Sequence, residues 1–171
     1  MNNFLNPKEI LNQLELRQDM VAADFGCGSG GWVIPLAKIL EKGKIYAIDI
    51  LEEPLSALEG RARSENIFNI ERILADVEKG VKIKDNSVNL VLMTNLLFEA
   101  ENKEKVLQEA RRILKEDGKI LVVDWKKETI LGPKEDKISK EEVKELAERV
   151  GLISEKEFAA GKYHWGLILK K

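Results

Sequence analysis

A glycine-rich stretch near the N-terminus holds the residues whose types and spacing point most directly to chemistry. Residues Asp24–Gly31 have the sequence DFGCGSGG, and they stand between the short apolar run Met20–Ala23 and the helix-like run 32–41. Glycines let a backbone approach a ligand closely, and the N-terminus of a helix presents unpaired N–H groups. A strand, a glycine turn and a helix in this order therefore predict a cradle for a nucleotide-containing ligand.

An acidic residue at the end of the next apolar run suits the same ligand. Asp49 directly follows the run Ile45–Ile48. A carboxylate at the end of the second strand of such a fold can accept hydrogen bonds from the two hydroxyls of a ribose. Gly26, Gly28 and Gly31 also satisfy the pattern G-x-G-x-x-G, so the glycines alone leave the identity of the nucleotide open.

Strands alternate with helices along the chain, and this order favours an α/β fold with a parallel sheet and helices on both faces. The predicted strands are 20–25, 44–49, 70–75, 88–94, 120–125, 152–158 and 164–169. The predicted helices are one that begins at Pro7, 32–41, one that begins at Pro54, 102–115 and 139–150. Only residues 159–163 separate the last two strands, which indicates an antiparallel hairpin.

The predicted sheet brings the polar strand ends to one edge. In open α/β sheets, ligands bind beyond the carboxyl ends of the strands, beside the first strand. The residues expected at this edge are the glycine stretch, Asp49, Asp76, Asn95, Trp125 and the loop 159–163. His164 is the only histidine and begins the last strand, so it is expected near the same pocket.

The composition bounds the kind of protein. A chain of 171 residues with 44% hydrophobic and 34% charged residues fits one domain, 1–171, with an N-terminal helical cap segment 1–19 and a core 20–171. A net charge of −2 provides no basic field for nucleic acid or an anionic membrane. A single cysteine excludes an intramolecular disulfide, and no apolar run reaches the ~20 residues of a membrane span. We therefore expect a cytoplasmic protein.

Four ordered segments and the hairpin resemble class I S-adenosylmethionine (SAM)-dependent methyltransferases. The segments are the motif Asp24-x-Gly26-x-Gly28-x-Gly30 with Asp49 after it, Ala75–Val77, Asp85–Val91, and Glu109–Asp124. The resemblance is closest to the small-molecule methyltransferases related to the ubiquinone and menaquinone C-methyltransferases, the type 11 methyltransferase domain. It implies a Rossmann-like, doubly wound sheet of order 3-2-1-4-5-7-6 with strand 7 antiparallel. It also implies SAM as methyl donor and S-adenosylhomocysteine as product.

The resemblance implies a role for each residue of the cofactor site. The implied cofactor-binding residues are Asp24, Gly26, Gly28, Gly30, Asp49, Ile50, Asp76, Val77 and Asn95. Asp24 would lie near the amino group of SAM, and the three glycines would let the loop pass under the methionine part of SAM. Asp49 would accept from the ribose hydroxyls and Asp76 from the adenine amino group, with Ile50 and Val77 packed on the ring.

The acceptor side is expected to combine four segments of the chain. Its candidate lining residues are Phe4, Leu97, Phe98, Trp125, Tyr163 and His164. Methyl transfer is an in-line displacement that needs no covalent nucleophile, and it needs a base only if the acceptor must lose a proton. His164 and Tyr163 are the candidate bases, and packing within the hairpin is the alternative role for both. The sequence predicts no metal site.

Several alternatives stay open beside a small-molecule methyltransferase. An RNA or protein methyltransferase would need a basic face, and an NAD-dependent oxidoreductase would use the glycine pattern differently. A SAM-binding protein without catalytic activity would have the same cofactor residues. The insertion after the fifth strand is short, so the acceptor pocket is either open or completed by the second subunit of a homodimer. Asn89 stands where the family usually has Asp, and we expect it to be structural.

Overall fold

One sheet of seven strands forms the centre of the molecule. The computed structural model describes residues 5–134 and 136–171, so Phe4 lies outside the described residues. Its strands are β1 (Val21–Phe25), β2 (Lys44–Asp49), β3 (Ile70–Leu74), β4 (Val88–Thr94), β5 (Leu114–Trp125), β6 (Ile153–Ala160) and β7 (His164–Lys170). Its helices are α1 (Pro7–Leu11), α2 (Val33–Ile39), α3 (Glu52–Ser64), α4 (Lys103–Ile113) and α5 (Lys140–Arg149).

The order and direction of the strands agree with the predicted fold. The sheet has the order β3-β2-β1-β4-β5-β7-β6. Strand β7 is antiparallel to β5 and β6, and the other neighbouring strands are parallel. The predicted α/β fold is therefore confirmed, including its antiparallel seventh strand.

Helices cover both faces of the sheet, which explains the nearly continuous apolar sequence of its central strand. Successive residues of a strand face opposite sides. In β4, Leu90 and Leu92 pack with buried residues of α1, α2 and α3, whereas Val91 and Met93 pack with those of α4 and α5. A strand buried on both faces has no solvent side, so its sequence does not alternate.

The predicted helix starts at Pro7 and at residue 139 are confirmed, and a capping side chain lies at each of them. The side chain of Asn6 accepts a hydrogen bond from the amide of Lys8 at 3.2 Å at the start of α1. At the start of α5, Ser139 Oγ accepts from the Glu142 amide at 3.2 Å, and Glu142 Oε2 accepts from the Ser139 amide at 2.7 Å. This reciprocal pair is a capping box.

One strand boundary differs from the prediction because of its pairing. Strand β5 begins at Leu114 and not at residue 120, since Leu114 pairs with Val88 of β4. The register then shifts before Leu90, and Gly118 lies in the resulting bulge. A Cβ on Gly118 would come within 2.6 Å of Leu114 Cδ1, so the bulge needs a glycine there. The bulge therefore lies inside β5, before the predicted start of the strand.

The remaining differences at helix and strand ends are small. Helix α3 begins at Glu52 and not at Pro54. This start is compatible with the sequence, since a proline is tolerated within the first turn of a helix. Helix α2 is shorter than predicted, and β6 continues to Ala160, which reduces the hairpin loop to residues 161–163. Within the described parts of the chain, no helix combines the length and the apolar character needed to cross a membrane.

Candidate functional site

A cavity of about 370 Å³ opens at the carboxyl ends of β1, β2 and β3, at the predicted edge of the sheet. The sequence-predicted residues that line it are Gly26, Gly28, Asp49, Ile50, Asp76 and Val77. The cavity is also lined by Leu51, Pro54, Ala75, Glu78, Leu96, Glu99 and Ala100. Six of the nine predicted cofactor residues therefore meet around one cavity.

Two glycines of the turn have different roles, one at the cavity and the other in the core. Gly28 has a φ of 53°, and no atom lies within 4 Å of where its Cβ would be, so its backbone is open to a ligand. Gly30 is buried and does not line the cavity. A Cβ on Gly30 would clash with Leu58 of α3, so this glycine lets α3 pack closely beneath the turn.

Asp49 is fixed by the turn that it faces. Its Oδ2 accepts a hydrogen bond from the Gly28 amide at 2.8 Å, and its Oδ1 accepts from the Leu51 amide at 3.1 Å. A carboxylate offers about four lone-pair sites, so each oxygen keeps one for a further donor. The carboxylate is thus oriented by the backbone and still able to accept two ligand hydroxyls.

Among the residues that the structure describes, every charged residue that lines the cavity is acidic. These residues are Asp49, Asp76, Glu78 and Glu99. Burial, and then the charge of Asp49, raises the pKa of Glu99 above its ordinary value. Such a lining attracts a cation and repels phosphate groups. It fits the sulfonium and amino groups of SAM and opposes the pyrophosphate of NAD.

Asp76 combines a structural contact with a place in the lining. Its Oδ1 accepts from the Glu78 amide at 3.0 Å, and its Oδ2 forms an ion pair with Lys79 at 2.9 Å. The hydrogen bond from Lys79 holds the pKa of Asp76 below its ordinary value. Asp76 therefore stays ionised and caps its turn while its remaining lone pairs face the cavity.

Two buried acceptors lie at the ends of neighbouring strands beside the glycine turn. Asp24 is fully buried at the end of β1, and both its carboxylate oxygens lack a hydrogen-bond partner among the described residues. Asn95 follows β4, and its buried Oδ1 also lacks one. Burial, and then the charge of Asp49, raises the pKa of Asp24 well above its ordinary value. Unpaired buried acceptors are costly, and an amino group of a ligand would relieve that cost.

The candidate acceptor residues fall into three places. Leu97 is fully buried in the core between the sheet, α4 and α5. Phe98 lines a second cavity of about 660 Å³, which shares Glu99 and Ala100 with the first. Trp125 lies against His164, with 4.0 Å between the ring centroids. The structure therefore places Trp125 against His164, whereas Leu97 lies in the core and lines neither cavity.

His164 is buried and uncharged at neutral pH. Its side chain is 5% exposed, and neither ring nitrogen has a hydrogen-bond partner among the described residues. Burial, and then the charge of Lys126, lowers the pKa of His164 to about 4. The neighbouring Tyr163 accepts a hydrogen bond from the Lys126 amide through its carbonyl oxygen at 2.9 Å. A Cβ on Gly132 would clash with the Trp125 ring, so Gly132 packs directly on this group.

Sequence reasoning missed three acidic residues around the two cavities. Asp124 is fully buried and accepts hydrogen bonds from the amides of Trp125 at 2.8 Å and Phe98 at 3.2 Å. Glu78 and Glu99 line the first cavity. The position of Asp124 at the end of a predicted strand was a usable signal. Glu78 and Glu99 lie in irregular segments, where periodicity gives no information on which side chain faces a ligand.

Comparisons with known proteins agree with this geometry. A family model described as a methyltransferase domain matches residues 16–168. The crystal structure of a SAM-dependent methyltransferase from Aquifex aeolicus superposes with a TM-score of 0.90 at 29% identity, covering 98% of this chain and 90% of that chain. A protein from Sulfolobus solfataricus described as a type 11 methyltransferase gives a TM-score of 0.75 at 30% identity, covering 98% and 92%.

One curated relative matches over a shorter stretch. Demethylmenaquinone methyltransferase from Staphylococcus aureus is 26% identical over 107 residues. The match covers 62% of this chain and 43% of that protein, so this chain corresponds to less than half of the relative's length.

Proposed function

Because the chain belongs to the methyltransferase domain family and is a methyltransferase that uses SAM, we propose that it methylates a small-molecule acceptor. The observation that carries the cofactor part of this proposal is the acid-lined cavity in which Asp49 is fixed to the glycine turn at 2.8 Å. The name of the curated relative describes a quinone-type substrate, which supports a small molecule for this chain. The net charge of −2 also disfavours a nucleic-acid acceptor, because the chain has no excess of basic residues to attract phosphates.

We assign the ends of the cofactor to particular residues of the cavity. Asp49 accepts from the ribose hydroxyls with the lone pairs that its backbone contacts leave unused. Ile50 is 62% exposed beside Asp76 and Val77, so it offers an apolar surface to the adenine ring. Asp24 and Asn95, at the ends of β1 and β4, have side-chain oxygens without a hydrogen-bond partner among the described residues. These oxygens accept hydrogen bonds from the amino group of the methionine part.

The chemistry asks for positioning and exclusion of water by this chain. When bound, SAM supplies a methyl carbon activated by a sulfonium. An electron pair of the acceptor would displace sulfur from that carbon, and the electron pair of the carbon–sulfur bond would stay on sulfur in S-adenosylhomocysteine. The glycine turn and Asp49 orient the donor, and the acidic lining stabilises its positive charge until transfer.

The second cavity is the proposed place of the acceptor. Since it shares Glu99 and Ala100 with the first cavity, a small molecule bound there lies next to the methyl donor. A base is required only for an acceptor that loses a proton. His164 is the candidate from the sequence: its lowered pKa keeps it unprotonated at neutral pH, but it lines neither of the two cavities. If His164 is the base, His164→Ala abolishes turnover and leaves SAM affinity intact, whereas retained turnover assigns His164 to packing.

Calorimetry with SAM, S-adenosylhomocysteine and NAD tests the cofactor part of the proposal. We expect binding of the first two and none of NAD, and binding of NAD alone would overturn it. Incubation with methyl-labelled SAM and fractions of a cell extract tests the acceptor part. Label should enter the low-molecular-weight fraction. Label in the RNA or protein fraction would replace the small molecule by that class of acceptor.

A further inference from the structure

The segment 95–102 between β4 and α4 forms a wall of both cavities. Leu96, Glu99 and Ala100 line the first cavity, and Phe98 and Glu101 line the second together with the shared residues. Leu96 also packs on the glycine turn, since a Cβ on Gly26 would lie 2.9 Å from its Cδ1. The position of this segment therefore shapes the cofactor and the acceptor sides together.

Carboxylates from outside the segment hold three of its backbone amides. Asp124 Oδ2 accepts from the Phe98 amide at 3.2 Å. Glu78 accepts with both oxygens, from the Glu101 amide at 2.9 Å and from the Asn102 amide at 2.8 Å. Hydrogen bonds to a carboxylate are stronger than neutral ones. Asn102 is also the N-cap of α4, so the negative charge of Glu78 lies at the favourable end of that helix.

Glu78 belongs at the same time to the adenine end of the first cavity. It lines this cavity together with Asp76 and Val77, and its own amide donates to Asp76 Oδ1 at 3.0 Å. A continuous chain of contacts thus runs from Asp76 through Glu78 to the amides of Glu101 and Asn102. The described residues offer no other side chain that links the segment 76–79 to these two amides.

We propose that Glu78 is a positioning residue that couples the adenine end of the cofactor cavity to the segment 95–102. Binding of SAM then fixes the wall of the acceptor cavity before the acceptor enters. This inference rests on the proposed function. The inference goes beyond the proposed function because it assigns an order of binding and the residue that imposes that order. Such coupling requires that the segment has two arrangements and that the cofactor favours one of them.

Hydrogen exchange of the full chain, measured with and without SAM, tests the coupling. In the wild type, SAM slows exchange of the amides in 96–102 at least several-fold. Glu78→Ala still binds SAM through Asp49, with a loss of less than tenfold in calorimetry, but SAM no longer slows exchange of the Glu101 and Asn102 amides, which Glu78 holds. Glu78→Gln keeps one carbonyl oxygen, so it restores part of the effect. Glu104→Ala is the matched control, because it removes a carboxylate from the first turn of α4 without touching the segment's amides.

Each outcome separates this inference from the proposed function. If wild-type protein binds no SAM, the proposed function fails. If SAM binds and protects the Glu101 and Asn102 amides equally in wild type, Glu78→Ala and Glu78→Gln, the coupling through Glu78 is wrong. If Glu78→Ala does not fold, Glu78→Gln decides, and wild-type protection in that variant overturns the inference. If Glu104→Ala also loses the protection by SAM, the protection depends on the charge at the helix end, and the inference is overturned.

Discussion

At the scale of single residues, Asp49 shows how one side chain serves the apo fold and the ligand. Its two oxygens already hold the amides of Gly28 and Leu51, so its orientation does not depend on a bound ligand. Preorganised acceptors need no rearrangement when a ligand arrives, which increases their contribution to binding.

Replacing Asp49 by Ala leaves two ribose hydroxyls and the Gly28 amide without this acceptor. We expect SAM binding in calorimetry to weaken by about 1–3 kcal/mol, which is about 5- to 150-fold in Kd. Glu53→Ala, an exposed acidic residue of α3 that does not line the cavity, is the control and should bind as the wild type does. Equal affinities in the two variants would remove Asp49 from the ribose role.

The sequence predicted single residues well where a strand end places them, and poorly in irregular segments. Asp49 and Asp76 follow predicted strands, so their place at the edge of the sheet follows from topology. Leu97 was expected in the acceptor pocket, but it points into the core, while Leu96 lines the cofactor cavity. Asn95 has a φ of 53°, a left-handed conformation that redirects the chain and that no periodic pattern indicates.

At the scale of elements, hydrogen-bonding signals in the sequence defined the helix starts, and tertiary contacts defined the start of one strand. The capping residues of α1 and α5 act within a few residues, so local sequence is sufficient. The start of β5 depends on the pairing of Leu114 with Val88, and this contact is not visible in local sequence. Asn89, predicted to be structural, accepts from the Val21 amide at 3.0 Å and ties β4 to β1.

The capping box of α5 gives a prediction about stability. Ser139→Ala removes the acceptor of the Glu142 amide, so we expect the free energy of unfolding in urea to fall by about 1 kcal/mol. Ser56→Ala within α3 is the control. Alanine is the better helix former in a helix interior, and this substitution should leave the stability unchanged or slightly higher. A loss in Ser56→Ala equal to that in Ser139→Ala would contradict the role of the cap.

At the scale of the whole molecule, the hairpin at the end of the chain sets the position of the buried polar groups. Strand β7 runs back between β5 and β6, so His164 pairs with Trp125 at the carboxyl edge of the sheet. Asp124, the residue before Trp125, faces the opposite side and holds the segment 95–102. The topology was predictable from the resemblance, but the burial of both titratable groups depends on packing from several elements.

These two groups give the folded protein opposite responses to acid. The pKa of His164 is lowered to about 4 from an ordinary 6.5, so acidification protonates the unfolded chain first and destabilises the fold between pH 6.5 and 4. Burial raises the pKa of Asp124 to about 6 from an ordinary 3.8, so acidification protonates the folded chain first and stabilises the fold between pH 6 and 3.8. Each contribution amounts to about 2 kcal/mol between pH 6 and 4.5, because one pKa unit corresponds to about 1.4 kcal/mol.

Urea unfolding at pH 6 and pH 4.5 separates the two contributions. On acidification from pH 6 to pH 4.5, the free energy of unfolding of His164→Gln should increase by about 2 kcal/mol relative to that of the wild type. The reason is that the substitution removes the destabilising titration. The free energy of unfolding of Asp124→Asn should decrease by about 2 kcal/mol relative to that of the wild type, because the stabilising titration is removed. The comparison uses the change with pH, so a constant loss of stability in either variant does not affect it. Parallel pH dependences in all three proteins would mean that neither group is buried as the structure describes.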